Sequence, residues 1–390
     1  MDFTIPEELA ALRKAFAAFL EREVRPLEES LQQDLWSLTP DHSHYLDVAG
    51  EVRQRSAAAG FYAAHMPEEV GGQGLSTLGT ALLVEDAAHS GLRLAIHAVA
   101  PPSPNGPTAL LMALPEHLWD DFLRPVVRAE RSMCFALTEP EAGSDAQAIR
   151  TSARRDGDEW VIDGMKHYIT GGDRSDFALV LAVTDSEKRA RGGITAFVVP
   201  RDRYRVGKTQ ATLGDSHPVE LWFEGARVPA DHVVGEVGEG FRTAMAFLNA
   251  GRAAFAAQSL GLAEFCLDVA VAHARARTAF GKPLGANQGV AFPLADCHAE
   301  IESMRWLTYH LAWAVDQGSA TAADASAGKL YATERAYAVA DRCLQVLGGM
   351  GLLKEGPIER VLRHLRVLRV VEGASEVHRL VVARSLGLPV

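Results

Sequence analysis

Apolar residues recur at helical spacing over the first third of the chain, where Leu9, Leu12, Phe16, Phe19 and Leu20 fall on one face. Ala, Leu and Glu dominate up to about residue 130. The pattern breaks at His65-Met66-Pro67, at Gly71-Gly72-Gln73-Gly74 and in the proline-rich run 101–107, all of which read as loops. Between about 131 and 237 the spacing shortens. Trp160-Val161-Ile162, Phe177 to Val183, Ile194 to Val199 and Val219 to Phe223 predict strands, and Asp156-Gly157 and Asp163-Gly164 predict tight turns around Trp160. From about 238 to 390 long alanine-rich amphipathic segments return at 239–276, 288–317 and 322–347. A last one runs from Glu376 to Leu386, with Ser375 as its N-cap. The chain is therefore expected to be mainly α with a central β domain: an N-terminal helical domain (1–130), a middle β domain (131–237) and a C-terminal helical domain (238–390). The missing βαβ alternation argues against a dinucleotide-binding doubly wound sheet.

Composition narrows the function classes. The chain has 390 residues, enough for two or three domains or one large multilayered unit. Hydrophobic residues make up 48% and charged residues 23%, as in ordinary globular proteins. A net charge of -11 argues against general nucleic-acid binding, which needs a basic face to neutralise phosphates. Cys134, Cys266, Cys297 and Cys343 lack metal-ligand spacing and read as reduced, buried thiols of a cytosolic protein. The 14 histidines show no HxxxH or HxH pair with acidic support, and His42-Ser43-His44 reads as a loop. No secretory or transit character marks the first residues, and no run of 18 apolar residues occurs. The expectation is a cytoplasmic protein with no membrane span.

Two segments carry candidate chemistry. Glu372 lies in Val370-Val371-Glu372-Gly373-Ala374-Ser375, a break between two helical patterns. Its valine neighbours would desolvate the carboxylate and raise its pKa, making it a better base, and Gly373 would let a substrate approach the backbone. Local sequence alone favours a solvated helix-end glutamate, since most glutamates are solvated. The second segment, Phe135 to Asp145, combines Thr138, a Pro-fixed turn and Gly143-Ser144-Asp145 into a cradle for a polar ring or phosphate; an ordinary loop entering the β region explains it equally well.

Six motifs in order change those odds. Thr138-Glu139-Pro140-Glu141-Ala142-Gly143-Ser144-Asp145 is followed by Tyr168-Ile169-Thr170-Gly171-Gly172. Next come Phe223 to Pro229 with Gly235 and Gly238-Glu239-Gly240-Phe241, then Arg277 to Leu284 with Gln288. Gln345-Val346-Leu347-Gly348-Gly349-Met350-Gly351 and Glu372-Gly373-Ala374-Ser375 complete the series. Over nearly its whole length the chain resembles the acyl-CoA dehydrogenases, a flavoprotein family. The resemblance implies an N-terminal helical domain, a middle β-barrel domain and a C-terminal four-helix bundle. It implies FAD, held by Phe135, Leu137, Thr138, Gly143, Ser144, Tyr168, Ile169 and Thr170, and by Arg277, Phe280, Gln288, Gln345, Val346, Gly348, Gly349, Ala374 and Glu376, with Arg277 and Gln288 reaching a neighbouring subunit's nucleotide. It implies Glu372 as the base that takes the α-proton, flavin N5 as the β-hydride acceptor, and the Glu372 N–H and a flavin ribityl hydroxyl on the substrate carbonyl. Ser144, Asn249, Arg252 and Gly373 would contact substrate. Some family members carry the base where this chain has Gly251, which leaves Glu372 as the candidate here. The implied partners are an acyl-CoA, an electron-transferring flavoprotein as electron acceptor, and copies of the chain in a homotetramer, or at least a dimer. The implied setting is fatty-acid and lipid metabolism. A dehydrogenase or oxidase working on a carrier-protein thioester is the alternative. Three departures bear on the substrate rather than the chemistry: Glu141 in place of a small residue, His364 in place of an aspartate, and four prolines in 101–107.

Overall fold

The computed structural model describes residues 4–31, 42–99, 106–214 and 217–390; of the proline-rich run, only Gly106 and Pro107 fall among them. The backbone clusters into two compact units, Met1–His65 with Leu75–Pro101 and Arg252–Val390, and Met66–Gly74 with Pro102–Gly251.

In the first unit, α1 (Glu7–Phe19) begins with two glutamates, which complement the positive end of the helix dipole, and buries Phe16 and Phe19. A wide turn leads to α2 (Arg25–Ser30), followed by α3 (His42–Ala58) and α4 (Thr77–His89), where the Ser76 side chain accepts from the Gly79 N–H. The bundle that follows comprises α5 (Gly240–Ala276), which crosses the division between the units, α6 (Gln288–Asp316), α7 (Ala322–Leu347), α8 (Pro357–Leu368) and α9 (Ser375–Ser385). A capping box between Thr321 and Asp324 starts α7, and Gly348, at φ +59°, ends it. Along α8, Ile358, Val361, Leu365 and Leu368 form one buried stripe. It packs in a core with Leu260, Ile301, Met304, Val339 and Cys343. Each such side chain contributes about 1.5–3 kcal/mol by leaving water, so the stripe determines which face turns inward. By length and composition α5 is apolar enough to cross a membrane, but more than half of its most apolar stretch is buried inside the structure. All four cysteines are buried free thiols.

The second unit is built on a seven-stranded mixed sheet. Its strands are β1 (Met133–Ala136), β2 (Ser152–Asp156), β3 (Glu159–Ile169), β4 (Phe177–Val183), β5 (Ile194–Pro200), β6 (Arg205–Thr209) and β7 (Val219–Pro229). Their order is β1-β4-β2-β3-β7-β6, with β5 beside β4; β1 runs parallel to β4, and β3 antiparallel to β7. The strands predicted at 177–183 and 194–199 appear with nearly those bounds, because both are apolar except for Thr195 and are buried along nearly their whole length.

Three local expectations are corrected. Asp163-Gly164 is not a turn: it lies inside β3 at a register shift, and a Cβ on Gly164 would stand 2.5 Å from Thr151 Oγ1. His42-Ser43-His44 is not a loop: it opens α3, whose Val48, Ala49 and Val52 bury at helical spacing. Ser375 is the first residue of α9 and not its N-cap, which is Ala374. The Ser375 hydroxyl donates instead to Glu334 Oε1 at 2.6 Å, a tertiary partner that displaces the local cap.

Candidate active site

Ser326, Lys329 and Thr333, three and four residues apart on α7, are all fully buried. This polar stripe faces the turn between α8 and α9. Lys329 Nζ donates to the Val371 carbonyl at 2.8 Å and to the Gly373 carbonyl at 2.9 Å, so a single ammonium brackets Glu372. Glu372 has φ +56° and Gly373 φ +99°. The left-handed conformation costs an L-residue about 1–2 kcal/mol and persists only where its surroundings hold it. Glu334 holds the ends of the turn: it accepts from Arg369 Nε at 2.9 Å and from Ser375 Oγ at 2.6 Å, and the Ser375 N–H donates to the Arg369 carbonyl at 3.1 Å. Gly373 is needed here, since a Cβ would press to 3.1 Å from His378 Nε2.

The electrostatics follow from this crowding. Glu372 keeps partial exposure, yet desolvation pushes its carboxyl up to about 7, against the opposing pull of the Lys329 and Arg252 cations. Arg252 is buried, and its Nη1 donates to Ser326 Oγ at 3.3 Å. Burial lowers the Lys329 ammonium to about 8, with Glu372 opposing that shift. His378 is fully buried, and neither ring nitrogen has a well-formed hydrogen bond. Desolvation, followed by the two cations, drives it down to about 3, so it is neutral at physiological pH. Among the described residues, the Glu372 carboxylate accepts no hydrogen bond and its N–H donates to no group of the chain. The turn thus presents a carboxyl ready to take a proton beside an unengaged N–H donor.

The second unit presents the other motif. Past β1, Leu137 is buried and its carbonyl accepts from Lys166 Nζ at 2.9 Å, while the Thr138 carbonyl accepts from the His167 N–H at 2.8 Å. Beneath them Glu139 accepts from Lys166 Nζ (2.8 Å), the Arg150 N–H (2.6 Å) and the Thr151 N–H (2.9 Å). Gly143 and Ser144 are exposed, Phe135 and Thr138 partly so. Glu141 pairs with Arg150 at 2.7 Å in solvent, so the charge that departs from the family pattern is compensated. Tyr168 stands at φ +59° and is 57% exposed, with Ile169 buried and Thr170 exposed beside it.

The remaining expected residues lie on the first unit's surface or on α5. Arg277 and Gln288 are exposed, and Phe280, at φ +51° in a two-residue hairpin, is 96% exposed. Gln345 is exposed, Val346 partly buried, and a Cβ on Gly348 or Gly349 would meet nothing. Ala374 caps α9, and Glu376 faces Arg379 at 3.6 Å. Asn249 is partly buried one turn before Arg252 on α5. His364 Nε2 lies 3.2 Å from Gln258 Nε2, where the amide is the donor if the imidazole nitrogen accepts. The structure brings Glu372, Gly373 and Arg252 together; no hydrogen bond or ion pair among the described residues joins Arg277, Phe280 or Gln288 to them. Sequence reasoning missed Lys329, His378 and Lys166. The one available signal was Lys329, set between Gly328 and Leu330 in an otherwise core-like pattern.

Comparison with known proteins adds three matches to family models: the acyl-CoA dehydrogenase N-terminal domain over residues 6–130, the middle domain over 134–224 and the C-terminal domain over 238–387. The chain is 36% identical to the mitochondrial short-chain specific acyl-CoA dehydrogenase of Bos taurus, covering 98% of this chain and 90% of that one. It superposes on butyryl-CoA dehydrogenase from Megasphaera elsdenii with a TM-score of 0.83, at 31% identity over 99% of this chain and 100% of that one. A glutaryl-CoA dehydrogenase from Mycobacterium smegmatis in complex with FADH2 gives a TM-score of 0.84, at 25% identity over 98% and 95% of the two chains.

Proposed function

The chain belongs to the acyl-CoA dehydrogenase family, and we propose that it oxidises an acyl-CoA thioester between Cα and Cβ to the trans-2-enoyl thioester, with Glu372 as general base. The observation that carries this reading is the carboxyl of Glu372, desolvated to a pKa of about 7 and held beside Arg252 and its own unengaged N–H. A base poised near neutrality is both ionised often enough and basic enough to transfer a proton.

The residues present fit FAD. Tyr168 and Phe280 are exposed aromatics at positive φ, suited to contact a planar ring system. The exposed Arg277 and Gln288 suit a pyrophosphate, and Gly348 and Gly349 leave open space for a nucleotide against the backbone. Thr138, Ser144 and Thr170 supply hydroxyls for the ring edge and the phosphates. When bound, FAD supplies the two-electron acceptor for the hydrogen leaving Cβ as hydride.

Glu372 takes the proton from Cα while the Cα–Cβ double bond forms, which leaves its carboxyl protonated. The Glu372 N–H donates to the thioester carbonyl, where negative charge develops as that proton leaves. Arg252 favours the carboxylate form of Glu372 before transfer, and Gly373 leaves the approach to the carboxyl clear. We assign electron-transferring flavoprotein as the physiological acceptor and a homotetramer as the assembly, both supported by family membership. The test is anaerobic titration of the yellow protein with straight-chain, branched and dicarboxylic acyl-CoAs and with the matching carrier-protein thioesters. Bleaching by an acyl-CoA, with the 2-enoyl product recovered, is the expected result. Bleaching by carrier-protein thioesters alone moves the substrate to the alternative class, and no bleaching by any thioester removes the proposal.

A further inference from the structure

Resting on that reading of Glu372, we propose that Lys329 is a positioning residue for the reaction: its ammonium, bridging the carbonyls on either side of Glu372, fixes the left-handed turn from which the carboxyl works. Glu334 anchors residues 369 and 375, the ends of the turn, through Arg369 and Ser375. Neither contact reaches residues 371–373. His378 lies against Gly373 without a well-formed hydrogen bond from its ring, and the Arg252 Nη1 donates to Ser326. Lys329 donates to both carbonyls that flank Glu372 in the middle of the turn, through two of its three ammonium hydrogens.

The arrangement has two effects. Geometrically, it holds Glu372 at a positive φ that an L-residue disfavours; without it the turn relaxes and Glu372 moves. Electrostatically, it sets a cation beside a carboxylate that burial alone would push higher. The charges acting on Glu372 are Arg252 from α5 and Lys329 from α7; around the turn also stand Glu334 of α7, Arg369 at the end of α8, and His378 and Arg379 of α9. His378 is neutral, and Arg369 and Arg379 face Glu334. Lys329 and Arg252 are therefore the cations acting on Glu372.

The test compares Lys329→Met, Lys329→Gln and Lys329→Arg with Glu372→Gln in the flavin-loaded protein. Three readouts apply: the pH profile of kcat/KM, the split between kcat and KM, and an infrared difference titration of the Glu372 carboxyl that needs no turnover. A displacement of about 1 Å can cost on the order of 100-fold. Lys329→Met is therefore expected to lower kcat by about 10–100-fold with KM little changed, and to move the acidic limb and the infrared transition upward by about one pH unit. Lys329→Arg should restore much of kcat and return the limb. Lys329→Gln should keep a donor but not the charge, and so show the upward shift. If Lys329→Met fails to fold, Lys329→Gln and Lys329→Arg alone decide the matter through the infrared titration. A Lys329 variant that loses stability while its limb and infrared transition stay at the wild-type pH overturns the proposal. Failure of the underlying reading looks different: Glu372→Gln would then turn over normally.

Discussion

Glu139 in the sheet unit and Glu372 in the bundle unit are both carboxylates beside a buried lysine, yet their pKa values move in opposite directions. Burial pushes both up. At Glu139 the Lys166 charge, the Lys166 hydrogen bond and donors from Thr151 and Arg150 outweigh burial, and the pKa falls below its ordinary value. At Glu372 no donor among the described residues reaches the carboxylate, and burial wins, raising it to about 7. Lys166 gives one hydrogen bond to its carboxylate; Lys329 gives both of its bonds to backbone carbonyls. A neighbouring cation alone does not determine ionisation: the number of donors aimed at the oxygens does. The first arrangement ties a loop down; the second leaves the carboxyl free to take a proton, as the proposed base must.

The largest effect that could break this contrast is on turnover. Replacing Glu372 with Gln keeps the shape and removes the base, and should slow flavin reduction by ~10²–10⁴-fold in single-turnover mixing. Second is stability in the sheet unit. Glu139→Gln strips the partner from a fully buried lysine and should destabilise by about 3–5 kcal/mol, measured by urea unfolding; a loss below about 1 kcal/mol would mean that the clamp is not structural.

Third, the two sites should respond to pH with opposite sign. The folded pKa of Glu372 lies above its ordinary 4.5. Its contribution to stability is therefore present below about pH 4.5 and is lost as pH rises through about 7. Glu372→Gln should then be more stable to urea than wild type above pH 7, by at most about 3 kcal/mol, with the gain vanishing toward pH 4.5. Glu139, with its folded pKa lowered, contributes above its unfolded pKa and loses that contribution as pH falls. Smallest of all, Glu141→Ala removes an exposed ion pair and should change stability by no more than about 1 kcal/mol.

Much of this was legible in the sequence. The helices over 239–276, 288–317 and 322–347 and the strands at 177–183 and 194–199 follow from long, consistent periodicity, and the structure sets Glu372, Gly373 and Arg252, which the resemblance singled out, side by side. Lys329 and Lys166 were not legible. A lysine within an alanine-rich helix or a β-branched strand has the same local pattern whether its head reaches solvent or a carbonyl folded against it from 40 residues away. Gly164 and Ser375 were misread for the same reason. Thr151 decides the first and Glu334 the second, and neither neighbour is local in the chain.

The most direct test of Glu372 as a desolvated base is the pH dependence of anaerobic flavin reduction by a saturating acyl-CoA, in wild type and in Glu372→Gln. We expect the wild-type rate to rise through a limb near pH 7, or at the pH that bound substrate shifts it to, and the variant to be slow with no such limb. A variant that reduces its flavin at the wild-type rate, or that keeps the same limb, would contradict the assignment of Glu372.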